Sequence, residues 1–242
     1  MTNDAAIGEL LETIRTRLYT AVVSDVLDRH GYLGQAMDAR IRPIDPEMRV
    51  VGRAHTVLSA DIYQRPDNPY EMEIAAIDAV TPGSCVVAST NQSTRTCYWG
   101  ELLSTASRAR GGTGTIIDGY TRDSKKIIEM GYPVFSTGFK PVDSSSRSTV
   151  VDFGCTIECG GVTVRPGDVV FGDFDGIVVI PIEILAEVVQ EAAEKVESEN
   201  ATRDMLLKGI CCARSMTSTG CCDGGGNWQR ATGNGQWAMG NW

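Results

Sequence analysis

Long apolar runs, histidine and an excess of basic charge are what this sequence lacks. No stretch of its 242 residues approaches the ~18 consecutive apolar positions of a membrane span. The first residues, MTNDAAIGELLETIRTRL, are polar and helical in period, without the basic-then-apolar order of a secretion signal. A cytoplasmic protein is therefore expected. Lys and Arg number 22 against 31 Asp and Glu, a net charge of −9 that leaves no basic face for nucleic acid. Only His30 and His55 are present, so a His-based zinc site or a Ser-His-Asp triad has little to draw on. His55 falls in a strand pattern and reads as a satisfied core or pocket-wall residue.

What is present is globular. Hydrophobic residues at 42% and charged residues at 22% are ordinary values, and a chain of this length builds a core without disulfide staples. One boundary breaks the averages. Residues 209–242 carry four of the eight Cys, three of the four Trp and eight of the 26 Gly. Arg214 and Arg230 against Asp223 leave that segment at +1, so the body carries −10. Without apolar periodicity, 209–242 is expected to be a disordered or loosely attached tail behind a single domain over 1–208. Cys211-Cys212 and Cys221-Cys222 match no familiar zinc spacing, and Cys85 and Cys97 read as small core residues.

The body alternates periodicities. Ile7, Leu10, Leu11, Ile14 and Leu18 mark an opening amphipathic helix, and SDVLDRHG a second, capped by Ser24 or Asp25 and stopped at Gly31. Strand patterns fall at 49–60, 84–88, 113–118 and from Pro133, with helices at 70–79, from about Trp99 to Arg110 and after Asp123. This strand-helix order predicts parallel pairing with right-handed crossovers. From residue 150 the Gly160-Gly161 and Pro166-Gly167-Asp168 turns are antiparallel signals, and 182–208 is a long final helix. The fold class is α/β with a mixed parallel and antiparallel sheet and a long C-terminal helix.

Glu101, Arg122 and Asp123 carry the chemistry. The helix from Glu101 runs ~15 Å away from one sheet edge, and strand 113–118 returns over ~20 Å. Both loops then meet outside the carboxyl ends of the strands, where parallel sheets place their sites. Paired carboxylates suit a hard divalent cation, Mg²⁺ or Mn²⁺. The backbone amides of Leu102 and Leu103 can hold a carboxylate at the positive helix end, and Arg122 can neutralise an oxyanion. Read by themselves, the same residues fit plainer roles: Asp123 as a helix cap, Glu101 as a dipole complement, Arg122-Asp123 as a surface pair. Lys125 and Lys126 read as solvated. Asp173 and Asp175 read as turn residues, and the polar loop 61–72, with Tyr63 and Arg65, as a candidate for substrate contacts.

Glu101-x20-Arg122-Asp123, within YWGELLSTASRARGGTGTIIDGYTRD, resembles the signature of the RraA-like family. The likeness continues in SDVLDRHG, MGYPVFSTG at 130–138, VTVRPGDVV at 162–170 and DFDGIVVIP at 173–181, and spans roughly residues 18–208. The resemblance implies a swivelling β/β/α sandwich, assembled as a trimer or a dimer of trimers. It implies a class II pyruvate aldolase acting on 4-hydroxy-4-methyl-2-oxoglutarate-like 2-oxo acids, with oxaloacetate decarboxylation by the same enolate chemistry. Asp123 would ligate Mg²⁺ or Mn²⁺, and Glu101 would support a water on the metal. Arg122 would contact the keto or enolate oxygen, and the backbone at Gly100, Leu102 and Leu103 the pyruvyl group. Glu199 from a neighbouring chain would complete the metal shell, with Glu197 the second candidate. The family also contains a noncatalytic ribonuclease regulator, which is the alternative. A methyltransferase reading finds no glycine-rich nucleotide loop here. Family aldolases mostly carry Asp at the position of Glu101.

Overall fold

A computed structural model describes residues 4–210 and the strands 228–230 and 237–239. In chain order the elements begin with α1 (Asp4–Arg17), α2 (Thr20–Arg29), β1 (Arg42–Pro43), β2 (Val50–Asp61), α3 (Glu71–Asp78), β3 (Ser84–Ser89) and β4 (Cys97–Trp99). Next come α4 (Glu101–Ala109), β5 (Gly114–Ile117), β6 (Tyr120–Thr121), α5 (Ser124–Met130), β7 (Val134–Ser136) and β8 (Gly138–Phe139). The series closes with β9 (Ser148–Phe153), β10 (Ile157–Cys159), β11 (Val162–Val164), β12 (Val169–Asp173), β13 (Gly176–Ile180), α6 (Leu185–Leu207), β14 (Trp228–Arg230) and β15 (Trp237–Met239).

The main sheet runs β1-β7-β5-β3-β2-β12-β13, with β9 also paired to β2. Its centre, β2-β3-β5-β7, is parallel, and β1, β9, β12 and β13 join antiparallel. The mixed sheet read from the sequence is therefore the sheet of the protein. β3 explains why a continuous apolar run stands there: all six residues are buried. Cys85 and Val87 face one core with Ile116, Phe135 and the β10–β11 hairpin, while Val86 and Ala88 face another with Trp99, Ile117 and Ile127. Full burial of each such aliphatic side chain contributes ~1.5–3 kcal/mol. Cys85, Cys97 and Cys159 are buried free thiols, as core residues would be.

α2 begins four residues before the predicted Ser24 cap. Its first backbone amide and hydroxyl, both of Thr20, donate to the Asp173 carboxylate at 2.8 and 2.7 Å. The cap is thus supplied by a residue distant in sequence, and Val22 and Val23 join the buried face. Asp173 also accepts the Asp175 amide at 3.0 Å, the turn role expected of it. Gly160 and Gly161 both take positive φ, +58° and +78°, as the tight β10–β11 hairpin needs.

The chain divides into two units between Gln190 and Glu191, inside α6. The second unit holds the rest of α6 and the antiparallel β14–β15 pair, with Trp228 opposite Met239. The paired cysteines of 211–222 lie outside the described residues.

Candidate active site

β4, β6 and β8 form a second, three-stranded parallel sheet. Its three carboxyl ends deliver Gly100-Glu101, Arg122-Asp123 and Lys140, so the site sits at the strand ends of this small sheet and not of the main one. Trp99 anchors it. Its carbonyl accepts the Arg122 amide at 2.9 Å and the Thr121 hydroxyl at 3.1 Å. Its buried indole N–H donates to Ser104 Oγ at 2.8 Å, and Ser104 Oγ donates to the Gly100 carbonyl at 3.0 Å. Strand β4, helix α4 and the Arg122 loop are thereby locked together.

Asp123 occupies the helix-capping position of α5, yet its side chain makes no capping hydrogen bond. Its backbone sits in the left-handed region at φ 56°, which for a non-glycine residue costs on the order of 1 kcal/mol. The expectation that Asp123 caps the helix is corrected by this geometry. The carboxylate turns instead to α4, where its Oδ2 accepts the Glu101 amide at 3.3 Å. Gly100 is required for that approach: a Cβ there would lie 3.0 Å from Asp123 Oδ2 and 3.3 Å from Arg122 Cγ and Nε. The Glu101 carboxylate takes the Thr105 hydroxyl at 3.1 Å. Leu102 is 75% exposed, and by helix geometry its amide and that of Leu103 have no partner within the helix.

Arg122 Nε lies 3.7 Å from Asp123 Oδ2, and its Nη1 only 3.0 Å from Asp143 Oδ1. Asp143 therefore holds the guanidinium more closely than its sequence neighbour does. The Tyr70 hydroxyl donates to Asp143 at 2.6 Å. Burial pushes the Asp143 carboxyl up, but hydrogen bonds from Tyr70 and Ser145 and the charge of Arg122 outweigh it and hold the group at about 2. Loop 61–72 thus reaches the site through Tyr70, while Tyr63 stacks under Arg95 at 4.3 Å. A cleft of about 390 Å³ opens beside the pair, lined by Thr121, Arg122, Asp123, Phe139 and Lys140 among others.

Asp143 and Lys140 are absent from the sequence reading, and Tyr70 enters it only as part of loop 61–72. Asp143-Ser144-Ser145 carries an Asx-turn composition, a turn signal without a functional one. His55 is half-buried with its ring Nε2 2.8 Å from the Ala76 carbonyl, the satisfied histidine expected. Lys125 and Lys126 are exposed. Glu197 and Glu199 lie on α6 in the second unit, where Lys195 Nζ stands 3.9 Å from Glu199. Among the described residues no group of three or more His, Cys, Asp or Glu side chains converges as a metal site. The donor chemistry still fits a hard divalent cation: a carboxylate left free of helix capping stands over the α4 amide end, with a second on that first turn.

The described fold and site define an α/β protein with an Arg-carboxylate site at parallel strand ends. The chain belongs to the RraA-like family (aldolase/RraA), whose profile matches residues 20–179. It is 31% identical over 190 residues to the protein DlpA of Legionella pneumophila, covering 78% of this chain and 30% of that one. It is 28% identical over 196 residues to a Halalkalibacterium halodurans protein named "Putative 4-hydroxy-4-methyl-2-oxoglutarate aldolase", covering 81% and 88%. Streptomyces coelicolor RraAS2, titled an unusual member of the RNase ES inhibitor RraA protein family, superposes with a TM-score of 0.73 at 28% identity, over 81% of this chain and 97% of that one. The chain spans 30% of DlpA and 54% of a second curated relative. No helix among the described residues is long and apolar enough to cross a membrane.

Proposed function

We propose that this chain is a divalent-metal-dependent lyase that cleaves a carbon–carbon bond of a 2-oxo acid through a pyruvate enolate. The observation that carries the reading is the left-handed, uncapped Asp123 beside Arg122, whose carboxylate faces the first turn of α4. Similarity to a protein named for 4-hydroxy-4-methyl-2-oxoglutarate aldolase supports that substrate class. In the cleavage, the 4-hydroxyl loses its proton, the C3–C4 bond breaks, and its electron pair passes into the enolate of pyruvate. Protonation at C3 then completes the second pyruvate.

The chain's own groups divide this work. The amides of Leu102 and Leu103, at the positive end of α4, bind the 2-oxo acid carboxylate, with Gly100 letting Asp123 and Arg122 close on the same turn. The Arg122 guanidinium faces the 2-oxo oxygen and stabilises the charge that develops there. Asp123 and Glu101 would hold Mg²⁺ or Mn²⁺, with Glu199 of a neighbouring copy in a trimer or dimer of trimers completing the set. When bound, the ion would supply Lewis-acid stabilisation of the developing negative charge. No lysine Schiff base is needed. Oxaloacetate, decarboxylated to the same enolate, is the second substrate expected.

Purified protein given Mg²⁺ or Mn²⁺ releases pyruvate from 4-hydroxy-4-methyl-2-oxoglutarate, followed by lactate dehydrogenase coupling, and Asp123→Ala removes at least ~100-fold of that activity. Equal rates in Asp123→Ala would sink the assignment. The likeness to RraAS2 favours a second reading, a noncatalytic ribonuclease-binding module. Ribonuclease capture without Mn²⁺ affinity by calorimetry would reverse the order.

A further inference from the structure

Asp143 is not the last carboxyl behind Arg122. The next residue, Ser144, donates from Oγ to Glu73 Oε2 at 3.3 Å, bringing α3 against the same turn. Tyr70, immediately before α3, reaches Asp143 itself. One helix start therefore grips the Asp143-Ser144 turn twice, through a phenol and through a carboxyl. Near Glu73 lies the buried Tyr98 side chain, whose hydroxyl has no hydrogen-bond partner among the described residues.

We infer that Glu73 is a positioning residue for Arg122, setting through the Ser144-Asp143 turn how much negative charge competes for the guanidinium. This rests on the lyase reading of the site. Burial pushes the Glu73 carboxyl up to about 7; the Ser144 hydrogen bond and the Arg122 charge pull the other way, and the Asp143 charge adds to the rise. Asp143, two bonds of the network away, stays ionised. Two carboxyls in one cluster are held in different charge states by their surroundings, the pattern that separates fixed and titrating roles. Below neutrality Arg122 answers to Asp143 and Asp123 alone. Above it, a third anion draws on the guanidinium and weakens its hold on a substrate oxyanion.

The charged and titratable groups around Glu73 do not displace this sign. Asp143, Arg122, Tyr70 and Tyr98 are the groups that enter its balance or whose balance it enters. Arg147 is turned to the Asp143 carbonyl at 3.1 Å. On α4, packed on α3, Arg108 is turned to the Met130 carbonyl and Glu101 takes the Thr105 hydroxyl, while Arg110, just past its end, is paired with Asp78. His55 meets α3 at the Ala76 carbonyl. β9 contributes Asp152, whose Oδ1 accepts the Phe153 amide.

The test follows pyruvate release from about pH 6 to about pH 9 in wild type, Glu73→Gln and Glu73→Asp. Wild-type kcat falls roughly five-fold along an alkaline limb centred near 7, which Glu73→Gln lacks and Glu73→Asp keeps. Parallel profiles in all three would overturn the inference, because a merely structural role moves none of them. A readout independent of turnover is NMR of the Mg²⁺-loaded protein labelled at glutamate carboxyl carbons and arginine Nε. One glutamate titrating near 7 and carrying the Arg122 Nε–H resonance with it, both effects lost in Glu73→Gln, supports the inference even if no pyruvate appears. In that case only the lyase reading fails. Absence of that titration overturns the Glu73 role whatever the activity.

Discussion

Replacing Gly100 with alanine separates the site from the fold. Gly100 has φ −153° and ψ −173°, extended backbone that any residue adopts, so conformation does not oppose the change. Space does. The new Cβ would sit 3.0 Å from Asp123 Oδ2 and 3.3 Å from two Arg122 side-chain atoms, several tenths of an ångström inside ordinary contact. Both obstacles belong to partly exposed side chains, so they move and the backbone stays. Asp123 then loses its 3.3 Å bond from the Glu101 amide and its 3.7 Å contact with Arg122 Nε. A long bond to an exposed carboxylate contributes ~0.5 kcal/mol, and alanine recovers a similar amount by restricting the unfolded chain. Thermal unfolding should therefore shift by less than ~4 °C. Activity should not be spared, because misplacing a site group by ~1 Å costs up to ~100-fold. The expected result is a ~10- to 100-fold loss of pyruvate release with near-native melting. Gly8→Ala, where nothing lies within 4 Å of the added methyl, should keep full activity and gain ~0.5–1 kcal/mol in α1. Wild-type turnover in Gly100→Ala would refute the claim that this close approach places Asp123 and Arg122.

Two further outcomes concern stability. Asp173→Ala removes the acceptor for the Thr20 amide, the Thr20 hydroxyl and the Asp175 amide, and should cost ~2–3 kcal/mol in urea unfolding; a loss under ~0.5 kcal/mol would mean that α2 is capped otherwise. The Glu73 carboxyl is raised from 4.5 to about 7 in the folded protein. Its contribution is fully present below pH 4.5 and is lost as pH rises through about 7. Glu73→Gln should then stabilise the protein at about pH 8 relative to about pH 5 by ~2 kcal/mol more than wild type, and an unchanged pH dependence would contradict that placement.

What could be read from the sequence was whatever rides on long periodic elements. Glu101 and Arg122-Asp123 come together because a helix out and a strand back return the chain to one end, a matter of rise per residue. The sheet that receives them was not legible. β6 and β8 are two residues each, too short for any periodicity, and they pair as the continuations of β5 and β7, which already lie side by side in the main sheet. α2 starts earlier than its local sequence suggests for a related reason: its cap, Asp173, is supplied by β12 and leaves no local mark.

The guanidinium shows most plainly where local reading stops. Sequence adjacency suggests an Arg122-Asp123 surface pair, which would leave neither group free for chemistry. The left-handed backbone at Asp123 divides the two side chains, and the tighter contact, 3.0 Å against 3.7 Å, goes to Asp143. Asp143 can take that role because Tyr70, Ser145 and Arg122 keep it ionised, and Tyr70 comes from a loop about seventy residues earlier. With Asp143 meeting the charge of Arg122, the Asp123 carboxylate is released toward the first turn of α4, where it accepts the Glu101 amide. The strain at one residue and the ion pair at another are therefore two halves of a single arrangement: each loses its purpose without the other, and neither is written in the order of residues 122 and 123.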